Sequence, residues 1–447
     1  MTRPTTSPHG QPAPERAPDA ETPSVGAQSR AKRGALAGFS SLRHRNFRLF
    51  WFGQMVSLVG TYMQVIGQAW LVLELTNSPV QLGLVGALQA LPILLLALLG
   101  GVFADRWPKR RVLLITQAAS MVQALLLWAL IATHAIQLWH IYALAVLLGL
   151  TNSLGRPASR AFIVEMVGRA DVPNAVALNS SLATLARIVG PGVGGVIIAA
   201  SGVTALFLFN ALSFLPVLAA LALIHSGDLR AQAPQTARGG GPRATMRSLR
   251  EGVGYVWKSP AVLHVIVVAG LVMLFGSNFN VVLPLFATDA LHRGASAFGF
   301  LSAAIGSGAL LAALWLAWAN RAPTIRGLLF VMLLFGALEA VFAVTHDYLL
   351  SLALIGAVGF AENTFATQSL TLLYALVPDH LRGRVMGVQV IFFDGSVPMG
   401  YLLLGWLSSV YGASTAILIG AALALVVTGA GWLWRKPAER GLLAHAA

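Results

Sequence analysis

Long apolar runs recur along the chain from residue 47 onward, and short polar segments separate them. The hydrocarbon core of a bilayer is about 30 Å thick and takes about 20 apolar residues per helical crossing. The runs are continuous, without the period-2 alternation of a membrane β-barrel, so they predict helices. The twelve predicted spans are 47–74, 80–104, 111–133, 138–161, 175–200, 203–225, 260–288, 295–319, 327–345, 348–376, 385–410 and 413–434.

A polar segment at residues 226–259, with three consecutive glycines and five arginines, separates six spans from six. The two halves show weak internal similarity. An offset of 210 residues aligns Gly149 with Gly359, Val167 with Val377, Gly190 with Gly400 and Gly195 with Gly405, and an offset of 216 aligns Gly83 with Gly299. The predicted fold is all-α, with twelve transmembrane helices in two six-helix repeats.

The predicted domains follow from these segments. They are a disordered cytoplasmic tail at 1–46, an N-terminal six-helix bundle at 47–225, a cytoplasmic linker at 226–259, a C-terminal six-helix bundle at 260–434 and a second cytoplasmic tail at 435–447.

Composition supports a membrane protein, because 57% of the residues are apolar and 10% are charged. Of the 30 Lys and Arg, 28 fall on the side of the N-terminal tail, so we expect both termini in the cytoplasm and the chain in the inner, cytoplasmic membrane. The formal charge of +14 is then a topology signal and not the mark of a nucleic-acid partner.

The chain has no cysteine, which excludes thiolate metal sites and iron–sulfur clusters. We expect neither metal nor cofactor.

The loop between the second and third spans combines small residues with a single acid among cations. It begins at Gly101 and continues through Asp105, Arg106, Lys109 and Arg110. The acid can pair with an arginine or cap the following helix. A basic loop that only sets topology is the alternative interpretation.

The fifth span contains Arg187 followed by a Gly-Pro-x-x-Gly-Gly core, and proline with glycines permits a kink and close helix contact. The core consists of Gly190, Pro191, Gly194 and Gly195. Ordinary glycine-rich helix packing is the alternative here.

These two motifs resemble the loop signature and the antiporter motif of the major facilitator superfamily. With Asn46-Phe-Arg48, the segment 155–160 and the loop 377–387, the chain looks like the enterobactin-exporter and macrolide-efflux branch. The resemblance implies a midplane cavity between two rocking halves. It also implies that Asp105, Arg106 and Arg110 latch the inward-closed arrangement.

Ionisable residues inside a membrane are costly and are functional candidates. Arg187, Glu362 and Asp394 lie within predicted spans, and the two acids are the proton-coupling candidates. A static ion pair with Arg187 is the alternative role for either acid. Glu339 is expected near the outer interface and is not a candidate.

Polar side chains on the first and seventh spans are candidates for lining the cavity, with interhelical hydrogen bonding as the alternative. They are Gln54, Tyr62, Gln64, Gln68, Asn278 and Asn280.

The sequence predicts a secondary active exporter of a small amphipathic molecule, such as a drug or siderophore, by proton antiport. Its expected partners are this substrate, protons and the lipid bilayer, and its expected state is a monomer. No nucleotide-binding loop or catalytic motif is found, so an enzyme is not expected. The alternatives are an importer or lysophospholipid flippase of the same fold, or a non-transporting membrane sensor or scaffold.

Overall fold

The computed structural model describes residues 35–104, 107–225, 227, 229, 242–320 and 322–436. After a 3₁₀ segment at Ala35–Arg43, the helices of the first half are α1 (Arg45–Thr76), α2 (Pro79–Ala104), α3 (Lys109–Ala132), α4 (Leu138–Met166) and α5 (Val172–Leu223). At 52 residues α5 is long enough to cross twice, and Gly202, with a φ of 78°, interrupts it. The first half therefore has six crossings.

The second half begins with a helix that precedes its first crossing. The helices are α6 (Pro242–Lys258), α7 (Pro260–Gly276), α8 (Phe279–Leu285), α9 (Ala295–Ala319), α10 (Ile325–Ala343), α11 (Tyr348–Leu376), α12 (Asp379–Tyr411) and α13 (Ala413–Leu433). A π-helical turn, Phe286–Ala290, extends α8. Helices α7 and α8 together make one broken crossing, so this half also has six.

The all-α prediction is confirmed, and the predicted spans agree with the helices to within a few residues at most ends. Within the predicted tail at 1–46, the 3₁₀ segment covers Ala35–Arg43, and residues 1–34 lie outside the described part. The predicted linker at 226–259 contains α6, which Glu251 ties to Arg384 of α12 at 2.8 Å. In the tail at 435–447, only the first two residues are described.

The predicted repeat is visible in the contacts of aligned glycines. A Cβ on Gly195 would lie 2.7 Å from the carbonyl oxygen of Ala295, and one on Gly405 would lie 2.8 Å from that of Pro79. Ala295 is 216 residues from Pro79, and Gly405 is 210 from Gly195, the same two offsets that align the halves. Equivalent residues therefore make equivalent contacts.

The backbone follows the same repeat. Gly202 and Gly412 are 210 residues apart, and they have φ values of 78° and 81°. Gly412 forms the turn between α12 and α13, and Gly202 forms the corresponding corner of α5. A left-handed φ suits glycine because it has no Cβ.

Both glycine contacts join the first half to the second. They lie at the helix ends far from Arg45, where α1 begins, and from Leu433, where α13 ends. We call this the closed end and the opposite one the terminal end. At the closed end, Gly83 meets Gly405 and Gly195 meets Gly299.

Candidate transport site

The glycine-rich core of α5 packs against two different helices. A Cβ on Gly190 would lie 2.6 Å from the Cβ of Tyr62 on α1, and Gly194 faces Met63 on the same helix. Gly195 faces α9, and the carbonyl oxygen of Pro191 would lie 2.5 Å from a Cβ on Gly299. The motif thus joins α5 to its own half and to the second half at once.

Two acids of the second half face arginines of the first. The charge of Arg187 on α5 acts on Glu362 of α11, and that of Arg156 on α4 acts on Asp394 of α12. Glu362 is partly exposed, whereas Arg187, Arg156 and Asp394 are exposed. From the sequence, Arg187 is a possible partner of either acid. In the structure, the arginine whose charge acts on Asp394 is Arg156.

Glu339, which the sequence places toward the outer interface, is buried at 1% exposure. Its Oε2 lies 2.9 Å from the place of a Cβ on Gly276, the last residue of α7. It lies four residues before the end of α10, and its carboxyl group packs against the end of α7. The charge of Glu362 acts on it. Sequence reasoning missed this residue; its alignment with Gln123 at an offset of 216 is the signal that identifies its inward position.

The predicted cavity residues of α1 divide into two groups. Gln64 donates to Gln123 of α3 at 2.8 Å and accepts a hydrogen bond from Asn210 of α5, so it holds three helices together. Gln54 and Gln68 are also buried, but the Oε1 of each has no hydrogen-bond partner in the described part of the chain. Tyr62 is partly exposed beside Gly190. The hydrogen-bonding alternative applies to Gln64.

The two asparagines lie at and just after the break between α7 and α8. Asn278 is fully buried and donates to the carbonyl oxygen of Leu274 at 2.8 Å. Its Oδ1 has no partner among the described residues and lies against Gly400 of α12. Asn280 is exposed and donates to the Tyr401 hydroxyl at 2.8 Å. The break therefore turns polar side chains toward α12.

Of the predicted gating loop, the structure describes only part. Gly101 lies in the last turn of α2, and Lys109 begins α3. Arg110 donates to the carbonyl oxygens of Leu221 and Ala222 at 2.7 and 2.9 Å, at the end of α5. Two of the predicted latch residues, Asp105 and Arg106, lie outside the described part of the chain. Arg110 thus binds its own half in this conformation.

A family model described as "Transmembrane secretion effector" matches residues 36–441. The chain belongs to this family of the major facilitator superfamily. The chain is therefore a multi-pass transporter and not an enzyme, as the sequence predicted.

Relatives with known names match this facilitator over most of both chains. The chain is 28% identical over 378 residues to the multidrug efflux pump Tap of Mycolicibacterium fortuitum, a match that covers 83% of this chain and 91% of Tap. It is 27% identical to the enterobactin exporter EntS of Escherichia coli O1:K1 / APEC, and the match covers 89% of this chain and 95% of EntS.

Solved major facilitator structures share the fold. A bacterial homologue of the human lysosomal transporter Spinster, in an inward-facing and unoccupied conformation, superposes with a TM-score of 0.71 at 12% identity. That alignment covers 89% of this chain and 98% of the homologue. The nucleoside transporter NupG gives 0.70 at 14% identity and covers 88% and 99%.

Proposed function

We propose that the protein exports small amphipathic molecules across the inner membrane by alternating access, with proton entry as the energy source. In this proposal the terminal end of the bundle faces the cytoplasm, because 28 of the 30 basic residues lie on that side. The protein works as a monomer, since one chain supplies both rocking halves.

The observation that carries the proposal is the placement of opposite charges on the two halves, within electrostatic range of each other. Arg187 and Arg156 belong to the first half, and Glu362 and Asp394 belong to the second. Protonation of either acid removes its attraction to the arginine opposite. A proton therefore changes the free energy that holds the halves in one arrangement, which is what coupling requires.

The closed-end contacts support alternating access. Gly83–Gly405 and Gly195–Gly299 bring backbone against backbone, leaving no room for a substrate at that end. Substrate would enter from the terminal end, and release would need both contacts to separate. The similarity to the multidrug efflux pump Tap and the enterobactin exporter EntS favours outward movement of drug-like or siderophore-like molecules.

Everted membrane vesicles test direction and coupling together. Ethidium and enterobactin serve as probes of the two substrate types. We expect at least one probe to accumulate inside vesicles whose lumen is acidic, and nigericin, which dissipates the pH difference, to abolish this accumulation. Accumulation only in right-side-out vesicles would identify an importer, and no accumulation of either probe above vesicles without the protein would contradict the proposal.

A double variant tests the two acids. We expect Glu362→Gln with Asp394→Asn to lower proton-driven accumulation at least tenfold. Glu74→Gln is the matched control, since Glu74 is an exposed acid near the end of α1 that accepts a hydrogen bond from Trp70 at 2.5 Å. Full proton-driven accumulation in the double variant would refute the assignment of the coupling residues.

A further inference from the structure

Glu339 occupies the position in the second half that Gln123 occupies in the first. The two residues are 216 apart, the offset that aligns Pro79 with Ala295 and Gly83 with Gly299. Gly276, against which Glu339 lies, is 216 residues from Gly60, which lies against Asn210 and Ser213 of α5. The repeat therefore places a neutral amide in one half and a carboxyl group in the other, at the same depth of the bundle.

In the first half both polar atoms of the Gln123 amide are hydrogen-bonded. Gln123 accepts a hydrogen bond from Gln64 at 2.8 Å and donates to the carbonyl oxygen of Leu144 at 3.4 Å. Asn210 completes the network by donating to Gln64. Gln123 is 0% exposed, and its oxygen and its nitrogen each have a protein partner.

In the second half the corresponding partners are missing. Asn280 is 216 residues from Gln64, but it follows the break in α7 and donates to Tyr401 instead. The counterpart of Asn210 is Gly420, which has no side chain to donate. Both carboxyl oxygens of Glu339 consequently have no hydrogen-bond partner within the described part of the protein.

The surroundings of Glu339 favour a positive ligand. The carboxyl group lies against Gly276, at the carboxyl end of α7, where helix carbonyls carry a partial negative charge. Phe335 also lies beside Gly276 and contributes an aromatic ring to this wall. An ionised carboxylate without a cation is expensive in such a place.

The neighbouring helices do not supply that cation from their described side chains. Helix α13 has no ionisable residue, and α11 contributes Glu362, whose charge is negative. The ionisable residue of α7 is His264, twelve residues before Gly276 and about 18 Å away along the helix. Arg187 acts on Glu362. The two acids therefore act on each other, while the charge of the arginine acts on Glu362.

We propose that Glu339, at the carboxyl end of α7, is an exchangeable binding site for a monovalent cation, either a proton or a sodium ion. The site would compensate the second negative charge of the Glu339–Glu362 pair. Discontinuous helices at the midplane of secondary transporters offer ions the same kind of oxygen-rich helix end. The use of the ion to drive transport rests on the proposed export function, but its binding does not.

Carbodiimide labelling of the wild-type protein tests the site directly. Dicyclohexylcarbodiimide reacts with protonated carboxyl groups in apolar surroundings, and mass spectrometry of the purified protein reports labelling at Glu339. For a proton site, labelling falls at least threefold between pH 6 and pH 9. For a sodium site, 100 mM sodium chloride lowers it at least threefold relative to choline chloride at one pH. Labelling that responds to neither, or no labelling at all, would overturn the proposal.

A variant provides an independent reading. Glu339→Gln has the same shape without the charge, so we expect its thermal unfolding midpoint to lose at least half of the wild-type dependence on pH or sodium. Glu74→Gln should keep the wild-type dependence. Equal dependence in Glu339→Gln and wild type would argue against the site. Neither measurement uses a transported substrate, so failure of the export assay leaves this result interpretable.

Discussion

The Cβ of Ala303 on α9 lies 3.8 Å from the place of a Cβ on Gly192 of α5. This separation crosses from one half of the protein to the other, and it equals the mean Cβ–Cβ distance of disulfides, about 3.8 Å. Outside the nearby backbone of α5 itself, Ala303 is the one described residue within 4 Å of that Cβ, so a side chain at residue 192 has room.

We therefore predict that Gly192→Cys combined with Ala303→Cys forms a disulfide under mild oxidation. The chain has no native cysteine, so the background is clean. The bond should stop transport of the probe by holding the halves together, and dithiothreitol should restore it. Gel mobility after protease cleavage between the halves measures the link. The single-cysteine variants are the controls, and uninhibited transport in the fully linked protein would contradict rocking between α5 and α9.

A charge-pair cycle tests which arginine belongs to Asp394. We expect Arg156→Gln and Asp394→Asn each to slow export, and their double variant to be no slower than the worse single one, because both remove the same interaction. Arg187→Gln with Asp394→Asn should instead multiply its effects. Initial rates of probe accumulation measure the three single and two double variants. If the effect of Asp394→Asn is instead non-additive with Arg187→Gln and additive with Arg156→Gln, Arg187 is the partner of Asp394.

Two glutamines on α1 should respond oppositely to the same substitution. Gln64→Leu removes the partner of the Gln123 Oε1 and of the Asn210 Nδ2, and each buried unsatisfied group costs about 1–3 kcal/mol. Gln68→Leu removes an amide whose oxygen and nitrogen have no partner among the described residues, so stability should be unchanged or higher. Thermal unfolding in detergent measures both, and equal losses would show that Gln68 is satisfied in solution.

The positive-φ glycines predict another contrast. Gly412→Ala forces a Cβ into a backbone conformation at φ 81° and ψ 164° and should cost about 1–3 kcal/mol. Gly202→Ala should cost the same, since its φ is 78° and its ψ is 170°. Gly429→Ala lies in the helix α13 with nothing within 4 Å and should be neutral or stabilising. Unfolding midpoints of the three variants compare them, and an equal loss for Gly429→Ala would contradict the strain argument.

The number, order and limits of the spans could be predicted from hydropathy because each crossing needs a long apolar run whatever its neighbours are. The repeat could also be predicted, because close backbone contacts require glycine and therefore leave aligned glycines in the sequence. Gly195 and Gly405 are examples. Helix α6 was not predicted because its polar composition is typical of a connecting segment, and the contact between Glu251 and Arg384 is a tertiary one.

The candidate site was predicted less completely, for physical reasons. Distance along a helix measures depth but not direction, so Glu339 could not be assigned to the interior without knowing what packs beside it. Similarly, Asp394 and Arg156 lie on helices of different halves, and only the packing brings them into range. Gln64 and Gln68 look alike in sequence, yet three helices meet at one and not at the other.

The interruption of α7 at Gly276 also limits how the protein can move. Backbone outside a helix at membrane depth is tolerated only when protein or a water-filled cavity shields it from lipid. Asn278, at the interruption, is fully buried, and neighbouring helices provide that shield. The second half must therefore keep its helices assembled around this point throughout the cycle, so large displacements are confined to the boundary between the halves.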